Sequence, residues 1–166
     1  MIKISSKILY DKKTKKILKC QREPFGSAGI PSFEAVCRSA KIPINKRSKV
    51  DTCLISKRIS TKNAQNNYRI KEGEAIKKPK VKIKSNKYKV LKNDNDNFKI
   101  KVEIDNTLSN ENFDFIEMEI NNISFKINLN KNNLGYKNIK ISEEGIYSIK
   151  SVDNRFKNNK IKIEVI

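Results

Sequence analysis

From Val81 onward the chain alternates apolar and charged residues with a period of two, and this limits its folds more than any other feature. Phe98, Ile100, Val102 and Ile104 fall on one side of an extended chain, and Lys99, Lys101 and Glu103 on the other. Ile123, Phe125, Ile127 and Leu129 repeat the pattern. A helix would scatter these residues around its axis, whereas a strand gathers them onto one face. Segments of this type occupy 81–84, 88–91, 98–104, 113–120, 123–129, 136–141, 145–152 and 160–165, separated by turns rich in Asn, Asp and Gly. Strands with one apolar face need a second sheet to cover it, so residues 79–166 are expected to form a two-sheet β-sandwich. In 113–120, Phe113 and Phe115 are out of phase with Ile116, Met118 and Ile120. A bulge or an outward-facing aromatic accounts for such a shift.

The first half obeys no single period. Residues 2–4 and 7–10 read as strand, 11–16 as a polar turn and 17–20 as its return, which makes a β-hairpin. Pro24, Gly26, Gly29 and Pro31 mark a loop over 21–31. Ser32 is placed to cap a short helix, since Phe33, Val36, Cys37 and Ala40 then share a face up to Ile42-Pro43. Residues 46–62 fit neither period: Ser48 and Asp51 mimic a capping box, while Val50, Cys53, Leu54, Ile55 and Ile59 break both patterns. Residues 61–67 read as polar loop. A second hairpin over 68–77 turns at Glu72-Gly73-Glu74, and Lys77-Lys78-Pro79-Lys80 reads as a linker. The division is a small basic α+β domain over 1–78 (hairpin, short helix, hairpin) and the sandwich over 79–166.

Charge is unevenly spread along the chain. Residues 1–80 carry 21 Lys+Arg against 6 Asp+Glu, and residues 81–166 carry 16 against 12. The field of the first half favours nucleic acid, anionic lipid or an acidic protein surface. Its densest run is Lys46, Arg47, Lys49, Lys57, Arg58 and Lys62, opposed by Asp51 alone, and these six are the candidate polyanion-binding residues. Heavy use of Lys, Asn and Ile also fits an AT-rich coding sequence, which leaves a solvated surface as the other reading of the run. Tyr68 is the one aromatic near it, and no helix-turn-helix or zinc-finger spacing accompanies it.

Several chemistries are excluded. The chain has no histidine, which removes histidine-based triads and the commonest metal ligand. Neither a Gly-x-x-x-x-Gly-Lys-Ser/Thr loop nor Gly-x-Gly-x-x-Gly occurs. Cys20, Cys37 and Cys53 are odd in number and widely spaced, which suits reduced, partly buried thiols over a disulfide framework or a three-thiolate zinc site. Asp94 and Asp96 lie at alternate positions as calcium ligands would, but lack the glycine and the glutamate of a binding loop. Glu117 and Glu119 read as an exposed pair. No enzyme activity, cofactor or metal is therefore expected. No apolar run reaches the length of a membrane span or of a secretory signal core, so synthesis in the cytoplasm is the expectation.

Gly145-x-Tyr147-x-Ile149, followed by Asp153 in a turn and a last strand at 160–165, resembles the closing strands of bacterial immunoglobulin-like domains. In that family the tyrosine hydroxyl bonds back to the backbone at the corner, which implies a structural corner at Gly145 and Tyr147. Ile149 stands where antibody domains carry a cysteine. The first half is similar, through Leu9-Tyr10-Asp11-x-x-Thr14-x-x-Ile17, Pro31-Ser32-Phe33-Glu34 and Tyr68-Arg69-Ile70-x-Glu72-Gly73-Glu74, to small N-terminal domains of phage and prophage structural proteins. It departs from them at Lys15, where a small residue is usual, and in its basicity. The resemblance implies a non-enzymatic virion-associated protein, assembled in the cytoplasm. Its front domain would dock to other proteins of the particle and its immunoglobulin-like domain would be displayed for adhesion. The alternatives are a basic nucleic-acid-binding protein using residues 1–80 and a bacterial surface adhesion module.

Overall fold

The computed structural model describes residues 5–22, 29–92, 96–105, 107 and 110–166. Of these residues 49% lie in strands and 13% in helices, so the fold is mainly β. The chain divides into two compact units, Met1–Lys78 and Pro79–Ile166.

The first unit is built on a three-stranded antiparallel sheet in the order β2-β1-β3, with β1 at Ser6–Asp11, β2 at Ile17–Arg22 and β3 at Val50–Ile55. β1 is central and apolar on both faces, so it is covered from both sides. Leu9 packs with Val36 and Cys37 of helix α1 (Phe33–Ser39) and with Val50. Ile8 and Tyr10 face the other way, toward Ala64 of helix α2 (Thr61–Asn67) and Ile70 of β4 (Tyr68–Lys71). In the β1–β2 register Leu9 faces Lys19 and Tyr10 faces Ile17, which leaves Leu18 as the extra residue of a bulge. The bulge lets Ile17 and Cys20 join the α2 side while Leu18 joins the α1 side. Ser32 caps α1 as expected, its hydroxyl accepting from the Ala35 amide at 3.1 Å.

Two segments differ from the sequence reading. The unresolved pattern over 46–62 is a 3-10 helix, Ile44–Lys49, running into β3. Residues 61–67 are a helix rather than a loop. Ser60 caps α2 by accepting from the Asn63 amide at 3.2 Å, and Ala64 is its one buried residue. A helix this short that buries one alanine shows no apolar stripe. The unit is therefore hairpin, helix, strand, helix and hairpin, not hairpin, helix and hairpin. The last hairpin pairs β4 with β5 (Glu74–Lys77), and Glu72 (φ 51°) and Gly73 (φ 81°) give the two positive φ values of a type I′ turn.

In the second unit all eight alternating segments contain strands: β6 Lys80–Ser85, β7 Lys89–Val90, β8 Phe98–Asp105, β9 Phe115–Ile120, β10 Ile123–Asn128, β11 Leu134–Ile139, β12 Gly145–Ser151 and β13 Lys160–Val165. They form a three-stranded sheet, β11-β8-β6, and a five-stranded sheet, β10-β9-β12-β13-β7. Both contribute to one core, in which Phe98, Ile100 and Val102 meet Ile116, Met118, Ile149 and Ile163. The architecture is sandwich-like. β7 pairs with β13 in parallel, and the other strand pairs are antiparallel.

The phase change before β9 has a local cause. Phe113 precedes the strand and is buried edge-on against Phe156, with ring centroids 4.7 Å apart. Phe115 begins the strand on its outer face, under Lys126 Nζ at 4.3 Å from the ring centroid and the Arg155 guanidinium at 4.6 Å. An outward aromatic, and not a bulge, explains it. Ile123 is in phase with Ile127 but lies 67% exposed at the end of edge strand β10.

Candidate polyanion-binding surface

The six basic residues that form one run in the sequence do not form one patch. Lys46, Arg47 and Lys49 lie on the 3-10 helix before β3, Lys57 and Arg58 follow its far end, and Lys62 is on the first turn of α2. Six strand residues at about 3.4 Å each put roughly 20 Å between the groups, more than twice the screening length of about 8 Å at physiological salt. Within the first group Arg47 is not available as a free cation. It forms an ion pair with Glu34 of α1, and its Nε donates to the Ile42 carbonyl at 3.5 Å.

Folding adds other lysines to each group. β1 pairs antiparallel with β3, placing Asp11 opposite Val50, so the 11–16 turn arrives beside the 3-10 helix. The Lys12 amide donates to the Lys49 carbonyl and Lys12 Nζ to the Ser48 carbonyl, both at 2.9 Å. Lys12, Lys13, Lys15, Lys16, Lys46 and Lys49 are thus gathered at one end of the sheet, all exposed. Asp11 is the one carboxylate of the turn and keeps its negative charge beside them, its Oδ1 accepting from the Lys13 and Thr14 amides at 2.9 and 2.7 Å to organise the turn. Those bonds, led by the Thr14 amide, hold its carboxyl below the usual range. Lys15 sits at φ 59°, a conformation that favours glycine. At the opposite end, Arg22 joins Lys57, Arg58 and Lys62 through its Nε bond to the Ile59 carbonyl at 3.3 Å. The sequence signal for the first assembly was present in the two lysine pairs of the turn. Without β3 nothing joined that turn to Lys46 and Lys49.

The thiols do not converge. Cys20 and Cys53 both lie opposite Ile8, one on each side of the central strand, and Cys37 is on α1 across the sheet. Two strand spacings, about 9–10 Å, exceed the reach of a disulfide. Burial pushes the Cys53 thiol up to about 11, away from a reactive thiolate. Among the described residues no group of His, Cys, Asp or Glu is arranged to hold a metal ion. Asp94 lies outside the described residues. Asp96 pairs with Lys87 and accepts from the Leu91 amide at 3.1 Å, as a turn anchor. Glu117 and Glu119 sit on the outer face of β9, where Glu119 pairs with Lys150 at 2.7 Å. No helix among the described residues is long and apolar enough to cross a membrane.

In the second unit the corner residues meet. The Tyr147 hydroxyl donates to the Glu143 carbonyl at 3.0 Å. Gly145, at φ 150°, lies under the ring, where a Cβ would stand 3.6 Å from Tyr147 Cε2. Asp153, which the sequence reading placed in the turn between the last two strands without a partner, anchors that turn through Arg155. Asp153 is 5% exposed and accepts from the Arg155 amide, Nε and Nη2 at 3.0, 3.0 and 2.7 Å, and from the Glu117 amide at 3.3 Å. Arg155 in turn donates to the Phe115 carbonyl at 2.8 Å. Burial opposes ionisation of Asp153, but these bonds and the guanidinium charge outweigh it and hold the carboxyl below the usual range. The pair pins the turn to β9.

No protein-family model matches the chain, and no curated protein or solved structure does.

Proposed function

We propose that the chain is a non-enzymatic, two-unit binding protein of the virion-associated kind, with an N-terminal docking unit and an immunoglobulin-like unit displayed for adhesion. The strand order of the second unit carries the reading. β6, β8 and β11 in one sheet and β10-β9-β12-β13 in the other support it, because immunoglobulin-like sandwiches also divide seven strands between two sheets. Here β10 joins the sheet of the last two strands, whereas in the constant type its counterpart joins the sheet of the first, and short β7 is added beside the last strand. The Tyr147–Glu143 bond two residues before Ile149 agrees with the tyrosine corner of that family. Such sandwiches present outer sheet faces and end loops to partners and leave the core to stability. The test is fractionation. Particles purified from cells expressing the chain with its genomic neighbours should carry it at a fixed ratio to the main structural protein. Recovery of the chain only outside the particles contradicts the proposal.

A second reading, polyanion docking by the first unit, is favoured by one observation: the convergence of Lys12, Lys13, Lys15 and Lys16 with Lys46 and Lys49 at one end of the sheet. A docking face for an acidic protein and a non-specific nucleic-acid contact draw on the same charge. They are separated by whether the complex forms with oligonucleotides at physiological salt.

A further inference from the structure

The outer face of the β11-β8-β6 sheet has two unlike ends. At one end charges alternate across the strands: Lys80 lies opposite Asp105 and Lys82 opposite Glu103, and Lys82 Nζ reaches Asp105 Oδ2 at 3.4 Å. This is the pairing that stabilises an antiparallel sheet. At the other end the rule is broken. Lys84 lies directly opposite Lys101, and Tyr136 faces Lys101 from the other side. Lys99, two residues along the same face, holds its Nζ 4.7 Å from the centroid of the Tyr136 ring. Tyr136 is 50% exposed at this position. Among the described residues neither Lys84 nor Lys101 has an acidic partner within ion-pair distance.

Placing like charges opposite one another costs stability, and the adjoining half of the face shows how the same strands avoid it. An exposed aromatic ring with one lysine over it, a second on the neighbouring strand opposite it and a third one strand further across the same sheet face suits a ligand that alternates flat rings with negative charges. We propose that Lys84, Lys99, Lys101 and Tyr136 form a binding site for single-stranded nucleic acid, with one base stacked on Tyr136 and the lysines on its flanking phosphates. Stacking on aromatic side chains beside a positive track is the general mode of single-strand binding, and a sheet face is one of its established platforms. Lys99 covers one face of the Tyr136 ring, which leaves the other face of the half-exposed ring for the base, and the exposed ring favours nucleic acid over polyanions that carry no flat rings. Duplex lacks an accessible base face and gains nothing from Tyr136. The inference is independent of the proposed docking role of the first unit.

The test uses the full chain, in a background with Lys12, Lys13, Lys46 and Lys49 replaced by Gln to weaken the densest basic cluster of the first unit, and each variant is compared with that background. Fluorescence anisotropy is read with a dT oligonucleotide, a duplex of the same length and a sulfated glycan. Tyr136→Ala should weaken single-strand binding by about fivefold or more, Tyr136→Phe should restore it, and duplex binding should not change. Lys84→Gln and Lys101→Gln should each flatten the dependence of log K on log[salt] by about 0.7. Lys84→Glu should raise the thermal midpoint while it weakens binding, because it turns a repulsive pair into an attractive one. Equal loss of single-strand and duplex binding in Tyr136→Ala, no loss of either, or a loss confined to the glycan would each overturn the proposal.

Discussion

The Tyr147 hydroxyl bonds the Glu143 carbonyl four residues upstream, but the bond lies at the surface, where water competes for both groups. Tyr147→Phe should therefore lower stability by only about 0.5–1 kcal/mol, the net worth of an ordinary hydrogen bond, read as a shifted denaturation midpoint at unchanged m-value. Asp153 is the stronger case, since it is buried and its partners are fixed. Its folded-state pKa is depressed, so its contribution is present above the ordinary carboxylate range and is lost as pH falls through the lowered value. Stability should hold from neutral pH to about pH 5 and decline below about pH 4. Asp153→Asn, expected to cost about 2 kcal/mol at neutral pH, should shrink that decline. A pH profile identical in wild type and Asp153→Asn would assign the decline to other carboxylates. Neither Asp153 nor Arg155 was legible as a pair in the sequence, because two residues apart in a turn they look like two solvated charges.

At the scale of elements, legibility followed periodicity. The eight alternating segments of the second half all became strands, because alternation and a buried face are the same fact seen twice. β3 and α2 were missed for opposite reasons. In β3, Leu54 is exposed and Cys53 half-buried beside β5, so neither face is cleanly apolar. α2 buries Ala64 alone and is specified by its cap and by packing on β2. Ser60→Ala should then cost about 1 kcal/mol in the first unit, and an unchanged midpoint would show that tertiary packing alone holds the helix. The missed strand also hid the approach of the turn lysines to Lys46 and Lys49. Replacing Lys12, Lys46 and Lys49 by Gln should flatten the salt dependence of duplex binding by the first unit more than replacing Lys57, Arg58 and Lys62 by Gln does. Equal effects would mean that the two ends, roughly 20 Å apart, act as one surface.

At the scale of the whole molecule the chain divides into two compact units, one basic and one sandwich-like, each with its own buried core. The boundary at Lys78 and Pro79 coincides with the change from mixed to alternating pattern, and a proline there ends the β4–β5 unit without a ladder bond to lose. The second unit has its own core, closed by Phe98, Phe113, Met118, Phe156 and Ile163, with no disulfide. Residues 79–166 expressed alone are therefore the most direct test. This fragment should give a β-type circular dichroism spectrum and a single cooperative denaturation transition that fluorescence and circular dichroism report at the same midpoint. A disordered spectrum, or a broad non-cooperative loss of signal, would contradict the division into two units.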